Sequence, residues 1–597
     1  MQDFYDGNSF DAYKYLGAHL LSKGQGTIFR TFAPNAEKVA VIGDFNEFKE
    51  TLLEPVYDGN FYEGVIPEAV EGMRYKYRIY KNDREFCDHC DPYGFGMEVR
   101  PGNCSVIRDL TSYQFQDEAW IAARKDSKKS PVNIYEVHLG SFRRKKDGSW
   151  FTYEELAEEL VSYVKQEGYN YIEFMPLAEH PLDESWGYQN TGFFSPTARY
   201  GTAAGLKRLV DACHQNGIGV IMDCMMACFA IDSYGLADYD GQPLYEYPHK
   251  DVAVNEWGSC NFIHSRGEVR SFLQSVANYW LEEYHFDGLR FGSINRLIYW
   301  QGDKHRGANG SAIDFVKRMN QGIKKRFPYC IIMGGNTHGF PKITKEVSQG
   351  GLGFDYKWDS NWVEDILKYM AYSPQMRKKQ YYILPFSMVY FYDESFMLAL
   401  SHDEAAHRQS SIFQGIYGEA EEKSAQARAM YMYMYAHPGK MLNFMGNEFA
   451  QSKVWTGKEE LFWELENKEE PKKLQHFFKK LNELYLRESA LYEKDYEKDG
   501  FSWLDCQKNG NCMYAFQRRG NAQIIYGVFN FDQEPVKDYI LNVGEAEAVQ
   551  VIFSSDWDSF GGSTKQETMW LTPEKKAGGN QLKLDVAPYT ALYLKRK

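Results

Sequence analysis

Residues Glu268–Tyr284 read EVRSFLQSVANYWLEEY, and Phe286–Phe291 read FDGLRF. Apolar residues of the first segment recur at the spacing i, i+3, i+4, i+7, and they are Val269, Phe272, Leu273, Val276, Tyr279 and Trp280. This spacing predicts an amphipathic helix, and the short apolar run after it predicts a buried strand. A helix that leads directly into a buried strand is the repeating unit of a parallel sheet.

The same alternation of strand, loop and helix extends in both directions from this unit, between about residue 130 and about residue 450. Further strand candidates are Ile134–His138, Tyr171–Met175, Gly219–Asp223, Cys330–Gly334, Phe396–Leu400 and Met441–Met445. Alternation over roughly 300 residues favours a (β/α)8 TIM barrel over a doubly wound sheet. The sequence therefore predicts an α/β protein with a central barrel.

Short β-rich runs separated by turns occupy both ends of the chain. The first set is Thr27–Ala33, Lys38–Ile42, Phe61–Val65 and Tyr75–Tyr80, and the second is Met513–Arg518, Ile524–Phe529, Ala548–Phe553 and Leu582–Val586. We predict an N-terminal β-sandwich over residues 1–112, the barrel over residues 113–490, and a C-terminal β-sandwich over residues 491–597.

The composition of the 597 residues narrows the class of ligand. A net charge of −14 argues against nucleic acid or an anionic membrane as a partner. Aromatic residues make up 16% of the chain, which is high and suits a neutral ligand with flat apolar faces. Met1–Phe10 lacks a basic start and an apolar run, and no segment is apolar enough to span a membrane, so we predict a cytoplasmic protein.

Ten cysteines are scattered along the chain, which predicts reduced thiols rather than a disulfide framework. Cys87 and Cys90 form a CxxC pair with Cys104 beyond it. A zinc site would need a fourth ligand at a suitable spacing, and His89 lies inside the pair. We therefore expect neither a metal nor a cofactor.

Polar and aromatic motifs follow several of the predicted strands, where a barrel has its functional site. They are MPLAEHP at Met175–Pro181, SWGYQNTG at Ser185–Gly192, FDGLR at Phe286–Arg290, SHDE at Ser401–Glu404 and FMGNEF at Phe444–Phe449. In this order they resemble the glycogen (1,4-α-glucan) branching enzymes of the α-amylase clan. Three further motifs extend the resemblance to the family's carbohydrate-binding β-sandwich and to its first and sixth barrel strands: VIGDFNEF at Val41–Phe48, IYEVHLGS at Ile134–Ser141 and GFDYKW at Gly353–Trp358.

The resemblance implies a retaining glycosyl transfer. One carboxylate attacks the anomeric carbon, and a second, about 5–5.5 Å away, protonates the departing oxygen. In branching enzymes a 6-hydroxyl of a glucan chain then accepts the sugar, which gives an α-1,6 branch. The nucleophile position, two residues after Arg290, is here Gly292, and the general-acid position in IMGGNTHGFP (Ile332–Pro341) is Gly335. With no catalytic residue intact, the sequence predicts an inactive pseudoenzyme.

Other positions of the family's site are retained, and one more is changed. The resemblance implies a sugar-binding ring, two charged supports and two hydroxyl-binding groups, which are Tyr188, Asp223, Arg290, His402 and Asp403. The segment DCMMACF at Asp223–Phe229 carries Cys228 where the family has a sugar-binding histidine. The predicted substrate-binding set is these five residues together with Cys228.

Neighbouring residues do not replace the missing acids. Asp287 lies five residues before Gly292, which is too far back along an extended strand to reach the same sugar. Because this offset is odd, its side chain is also expected on the opposite face of the strand. The Asn336 amide is not a proton donor of suitable acidity. The Cys228 thiol is more simply a small-residue replacement.

Some retained residues have structural interpretations as well. Asp223 and Arg290 could persist as a buried ion pair that holds strands together, and the same alternative applies to His402 and Asp403. Tyr188 lies in a WGYQ context that favours sugar contact. Three tryptophans could be core residues or stacking platforms: Trp186, Trp455 and Trp463.

Three functions remain as hypotheses. The chain is a non-catalytic relative that binds α-glucan, or a partner enzyme of glycogen metabolism. Alternatively it is an active 1,4-α-glucan branching enzyme through an arrangement that the motifs do not reveal. The third possibility is a scaffold with no glucan affinity. The sequence does not indicate the oligomeric state.

Overall fold

The computed structural model describes residues 1–22, 24–82, 84–335, 339–506, 511–566 and 568–597. Asn336 lies outside the described residues. The chain divides into two compact units. The first consists of Met1–Arg124, His138–Ser162 and Glu173–Asp355, and the second of Lys125–Val137, Tyr163–Ile172 and Tyr356–Lys597.

A closed barrel of eight strands confirms the predicted fold class. In chain order the strands are Asn133–Val137, Tyr171–Phe174, Gly219–Cys224, Gly288–Phe291, Ile331–Gly334, Tyr356–Trp358, Phe396–Leu400 and Lys440–Phe444. The fourth strand begins at Gly288 rather than at the predicted Phe286, after a turn in which His285 has a left-handed backbone with φ of 58°.

Helices connect these strands. The α-helices are Gln2–Tyr5, Glu118–Ala123, Leu139–Phe142, Tyr153–Gln166, Ala203–Gln215, Lys250–Ala253, Gly267–Glu283, Ile294–Ile298, Gly310–Arg326, Ser360–Ala371, Pro374–Lys379, Ile383–Tyr390, His402–His407, Ala420–Ala436 and Glu469–Arg487. No helix in the described ranges is long and apolar enough to cross a membrane.

The helix Gly267–Glu283 is buried on its polar side as well as on its apolar face. The N-terminal segment of the chain covers that polar side. The Ala12 backbone N–H donates to Ser275 Oγ at 3.0 Å, and Gln274 Nε2 donates to the Gly7 carbonyl at 3.0 Å. The helical spacing predicted one buried face, and the second is buried because its polar side chains bond a distant segment.

Two antiparallel sheets form the N-terminal β-domain. One sheet contains Gly17–Leu20, Thr27–Phe32, Phe61–Ile66 and Glu54–Val56, and the other contains Thr51–Leu52, Lys38–Gly43, Arg74–Tyr80 and Phe86–His89 with Ser105–Val106. Ring contacts such as Phe29 against Tyr75, with centroids 5.0 Å apart, join the two sheets. This arrangement confirms the predicted β-sandwich.

The C-terminal β-domain also contains two sheets. The larger is built from Phe501–Asp505, Met513–Arg519, Ile524–Asn530, Thr590–Arg596, Val549–Ser554 and Trp570–Leu571, and the smaller pairs Val536–Gly544 with Asn580–Val586. Apolar side chains of both sheets, such as Val528 and Leu541, share one buried core. The predicted terminal β-sandwich is therefore confirmed.

A buried histidine in the first unit binds two carboxylates beside the start of the fourth barrel strand. The ring nitrogens of His214 lie 2.8 Å from Asp117 Oδ2 and 3.0 Å from Asp287 Oδ2. Burial lowers the pKa of His214, but the hydrogen bonds to Asp117 and Asp287 outweigh burial and raise that pKa above its ordinary value. Burial raises the pKa of Asp117, but its bonds to His214 and His285 lower it to about 2.

Because the folded-state pKa of His214 is raised, its contribution to stability is complete below the unfolded pKa of about 6.5 and is lost as pH rises through the folded pKa. We expect His214→Gln to destabilise the protein by about 3 kcal/mol at pH 6. The difference in thermal unfolding midpoint between the unmodified protein and the variant should be largest below about pH 6.5 and should narrow as the pH rises through the raised pKa of His214. If the unfolding midpoints of the two proteins kept a constant difference across this pH range, the proposed contribution of charged His214 to stability would be contradicted.

Candidate functional site

The two glycines predicted to replace the catalytic acids follow neighbouring strands in the first unit. The Gly292 N–H donates to the Cys224 carbonyl at 3.3 Å, and the Gly335 N–H donates to the Phe291 carbonyl at 3.0 Å. Neither glycine has the left-handed backbone that would require a residue without a side chain. Backbone conformation therefore does not require glycine at either position.

A buried ion pair lies beside these glycines. Asp223 and Arg290 are register partners on the third and fourth strands, and Arg290 Nη1 donates to Asp223 Oδ2. The pair is almost entirely buried, with exposed fractions of 1% for Asp223 and 4% for Arg290. The Tyr188 hydroxyl also donates to Asp223 and accepts from Arg290 Nη1 at 3.2 Å. The structure thus brings Tyr188, Asp223, Arg290, Gly292 and Gly335 together.

Space for a side chain differs between the two glycine positions. A Cβ atom on Gly292 would lie 3.5 Å from Arg290 Nη1, 3.6 Å from the Tyr188 ring and 3.7 Å from Asp223 Oδ1. These are ordinary contacts. A Cβ atom on Gly335 would lie 2.9 Å from Arg290 Nη2. The guanidinium, which Asp223 holds, would have to move before residue 335 could carry a side chain.

Cys228 is buried in the short strand Cys228–Ala230, which pairs with Ser259–Asn261. Burial raises the pKa of the Cys228 thiol to about 11, although the Arg296 charge and hydrogen bonds to Asn255 and Ser259 oppose this rise. At neutral pH the group is therefore a thiol and not a nucleophilic thiolate. This environment favours the small-residue interpretation over a catalytic one.

His402 and Asp403 lie in the second unit, directly after the seventh barrel strand. The His402 ring bonds Glu136 through Nδ1, and the His402 backbone N–H donates to Glu136 Oε2 at 2.8 Å. Asp403 Oδ1 is 3.5 Å from His402 Nε2. Glu136 was absent from the predicted site. An acid among the apolar residues of the first-strand motif IYEVHLGS was a signal that this residue is unusual, but its contact with His402 is seen only in the structure, where Glu136 is fully buried.

Asp287 does not approach the glycines, as its strand offset predicts. It lies before the amino-terminal end of the fourth strand, where it binds Arg124 Nε at 2.7 Å and the Trp120 indole N–H at 2.9 Å. Its carboxylate is committed to the buried cluster around His214. It therefore cannot substitute for a catalytic acid beside Gly292.

The three tryptophans that the sequence left as either core residues or stacking platforms differ in burial. Trp455 is 6% exposed and packs edge-on against Phe444 at 5.0 Å, which makes it a core residue. Trp463 is half-buried, and its ring contacts Phe449 at 5.2 Å. Trp186 is half-buried and has a left-handed backbone with φ of 53°. Only the last two keep exposed surface that a sugar could contact.

The CxxC segment does not gather metal ligands. The His89 ring nitrogen Nδ1 is 2.8 Å from the Gly235 carbonyl, so this ring bonds the backbone. Cys90 and Cys104 are buried, and all ten cysteines are free thiols. Among the residues that the structure describes, no group of three or more His, Cys, Asp or Glu side chains could hold a metal ion.

A further cluster follows the fourth strand and was not predicted. Arg296, in the helix Ile294–Ile298, pairs with Glu256 and lies over the Trp257 ring, with Cζ 4.0 Å from the ring centroid. About forty residues separate the two segments along the chain. No local pattern in the sequence indicates that they meet.

Comparison with known proteins gives the family. The model named "Alpha amylase, catalytic domain" matches residues 137–231 and 258–533. The chain belongs to the α-amylase family. A model named "Carbohydrate-binding module 48 (Isoamylase N-terminal domain)" matches residues 15–94, and one named "Alpha amylase, C-terminal all-beta domain" matches residues 503–597.

Relatives within this α-amylase family are similar over almost the whole chain. A 1,4-alpha-glucan branching enzyme GlgB of Francisella tularensis subsp. novicida (strain U112) is 39% identical over 617 residues, covering 99% of this chain and 96% of that relative. One from Bacillus caldolyticus is 40% identical over 571 residues, covering 94% and 85%. The protein is thus a homologue of glycogen branching enzymes.

A solved structure of lower identity has the same fold. The pullulanase of Anoxybacillus sp. LM18-11, which was crystallised with maltotetraose, superposes with a TM-score of 0.74 at 17% identity. The match covers 100% of this chain and 89% of that one. At this identity the likeness concerns the fold alone.

The contacts around the two glycines predict different effects of adding a methyl group. We expect Gly292→Ala to leave stability unchanged or to raise it by about 0.5 kcal/mol, because it restricts the unfolded chain at a compatible site. Gly335→Ala should cost about 1 kcal/mol or more, because Arg290 must shift against its ion pair. Thermal unfolding of both variants tests this difference. If Gly335→Ala were as stable as Gly292→Ala, the shift of Arg290 would cost no free energy and the prediction would be wrong.

Proposed function

We propose that this branching-enzyme homologue binds α-glucan without transferring it. The observation that carries the proposal is the pair of glycines at the ends of the fourth and fifth strands, where the family's chemistry needs two carboxylates. Tyr188, Asp223 and Arg290 remain beside those glycines in one connected cluster. Sugar contacts are therefore retained at a place where covalent chemistry has no nucleophile.

Each missing carboxylate would supply a separate part of the glycosyl transfer. Without a carboxylate at residue 292, no glycosyl-enzyme intermediate forms there, and without one at residue 335 the departing oxygen receives no proton. The thiol of Cys228 stays protonated at neutral pH, and Asp287 is bound in another cluster. From the family resemblance we propose that six residues contact the sugar: Tyr188, Asp223, Cys228, Arg290, His402 and Asp403.

An α-glucan is the ligand that the comparisons support best. The relatives are named for a 1,4-α-glucan, and a structural neighbour holds maltotetraose. The N-terminal domain matches a carbohydrate-binding module. We propose that the glucan is glycogen-like, that a partner enzyme of glycogen metabolism is an alternative binding partner, and that the protein acts in the cytoplasm.

An active branching enzyme is the second candidate, and the identity of about 39% to branching enzymes over nearly the whole chain favours it. Such an enzyme would need a carboxylate from elsewhere in the chain at both strand ends. A scaffold without glucan affinity is the third candidate. A branching assay and a glucan-binding assay together distinguish the three functions.

An iodine-stained amylose assay tests the loss of chemistry. We expect no decrease in iodine colour with the unmodified chain, because loss of the general acid alone costs about 10²–10⁴-fold in rate. The double variant Gly292→Asp, Gly335→Glu is the matched comparison. Branching by the unmodified chain would refute the proposal. Inactivity of the double variant as well would place further losses at positions such as Cys228.

Retention on an amylose resin tests the binding that we propose. We expect the unmodified chain to be retained and to be released by maltoheptaose. Tyr188→Ala should weaken retention by about fivefold, since an aromatic contact contributes roughly 1 kcal/mol. Tyr329→Ala is the matched control, because Tyr329 is 56% exposed away from the site. Flow-through of the unmodified chain would contradict glucan binding and favour the scaffold.

A further inference from the structure

Trp257 presents a large apolar ring to solvent, with 51% of its surface exposed. It lies in residues 232–257, which the catalytic-domain model leaves unmatched. This tryptophan is therefore outside the part of the chain that the α-amylase family model describes. A single exposed ring is ordinary on a protein surface, so what distinguishes Trp257 is how its ring and its backbone are fixed.

The Trp257 ring is held from one side. Arg296 lies over it at 4.0 Å, and the same guanidinium pairs with the neighbouring Glu256. The Arg296 side chain is only 5% exposed, so this support is itself fixed by packing. A cation over one face of an indole leaves the other face available.

The Trp257 backbone is fixed as well. Its N–H donates to Asn255 Oδ1 at 3.0 Å, and its carbonyl accepts from Gln189 Nε2 at 3.1 Å. The Asn255 side chain also accepts from the Ser259 N–H at 3.1 Å. Little conformational freedom is left for a ligand to remove, and this lowers the entropic cost of binding.

These anchors connect Trp257 to the candidate site. Gln189 is the residue after Tyr188, and Arg296 lies four residues after Gly292, in the helix Ile294–Ile298. The ring is therefore placed at the rim of the cluster that contains Tyr188 and Gly292, within the same unit.

We propose that Trp257 is a stacking platform for an α-glucan chain at the rim of this site. The proposal rests on the glucan binding proposed above and adds a contact for sugars outside the central pocket. Glucose rings have apolar C–H faces that stack on an indole, and a chain of several glucoses would contact the platform and Tyr188 together. A protein partner is less suited, because the platform is a single ring bordered by the charged Glu256.

Affinity electrophoresis in gels that contain glycogen, repeated with maltoheptaose as competitor, tests this platform. We expect Trp257→Ala to weaken binding by about five- to tenfold, and Trp257→Phe to retain most of it. Trp570→Ala is the matched control, because Trp570 is 54% exposed in the C-terminal domain and should not affect binding. Thermal unfolding of each variant separates loss of the platform from loss of the fold.

The outcomes distinguish the two proposals. If the unmodified chain binds glycogen and Trp257→Ala binds equally well, the platform is wrong and glucan binding stands. If Trp570→Ala weakens binding as much as Trp257→Ala does, the effect is not specific to the rim and the platform is also wrong. If the unmodified chain does not bind glycogen or maltoheptaose, the proposed function itself fails.

Discussion

A buried ion pair between Asp223 and Arg290 fixes the geometry of the candidate site. A guanidinium does not lose its proton in a protein, so removal of Asp223 would leave an uncompensated buried charge at a cost of about 3–5 kcal/mol. The pair holds the Tyr188 hydroxyl on one side and keeps the guanidinium next to Gly335 on the other. Stability is therefore a reason to retain these residues that does not depend on any chemistry at the site.

The same constraint explains why the two glycine positions are not equivalent. Gly292 has room for a side chain, whereas Arg290 occupies the space beside Gly335. A Cβ atom therefore fits at residue 292 without rearrangement, but at residue 335 it requires a movement of Arg290 within the ion pair. The fold has kept the charged support of a glycosyl-transfer site while losing, as we propose, the groups that would act on the substrate.

Much of the fold could be predicted from the sequence, because most barrel strands are short apolar runs that alternate with helices. The seventh strand, Phe396–Leu400, was predicted to the residue. Contacts between distant segments could not be predicted. Glu136 meets His402, and Trp257 meets Arg296, only after the chain has folded. Local periodicity carries no information about such pairs.

In the candidate site, too, the positions of residues could be predicted from local motifs, but their packing could not. Motifs located Tyr188, Asp223, Arg290 and the two glycines, since each follows a recognisable strand. They did not indicate that Cys228 is fully buried or that Arg290 crowds Gly335. Both facts depend on side-chain packing, which spacing along the chain does not encode.

We propose that the protein binds glucan and does not transfer it. Calorimetric titration with maltoheptaose, followed by proton NMR of the recovered sugar, measures both parts on one sample. We predict saturable binding heat and no new α-1,6 anomeric signal. A growing α-1,6 signal, or the absence of binding heat, would contradict the account.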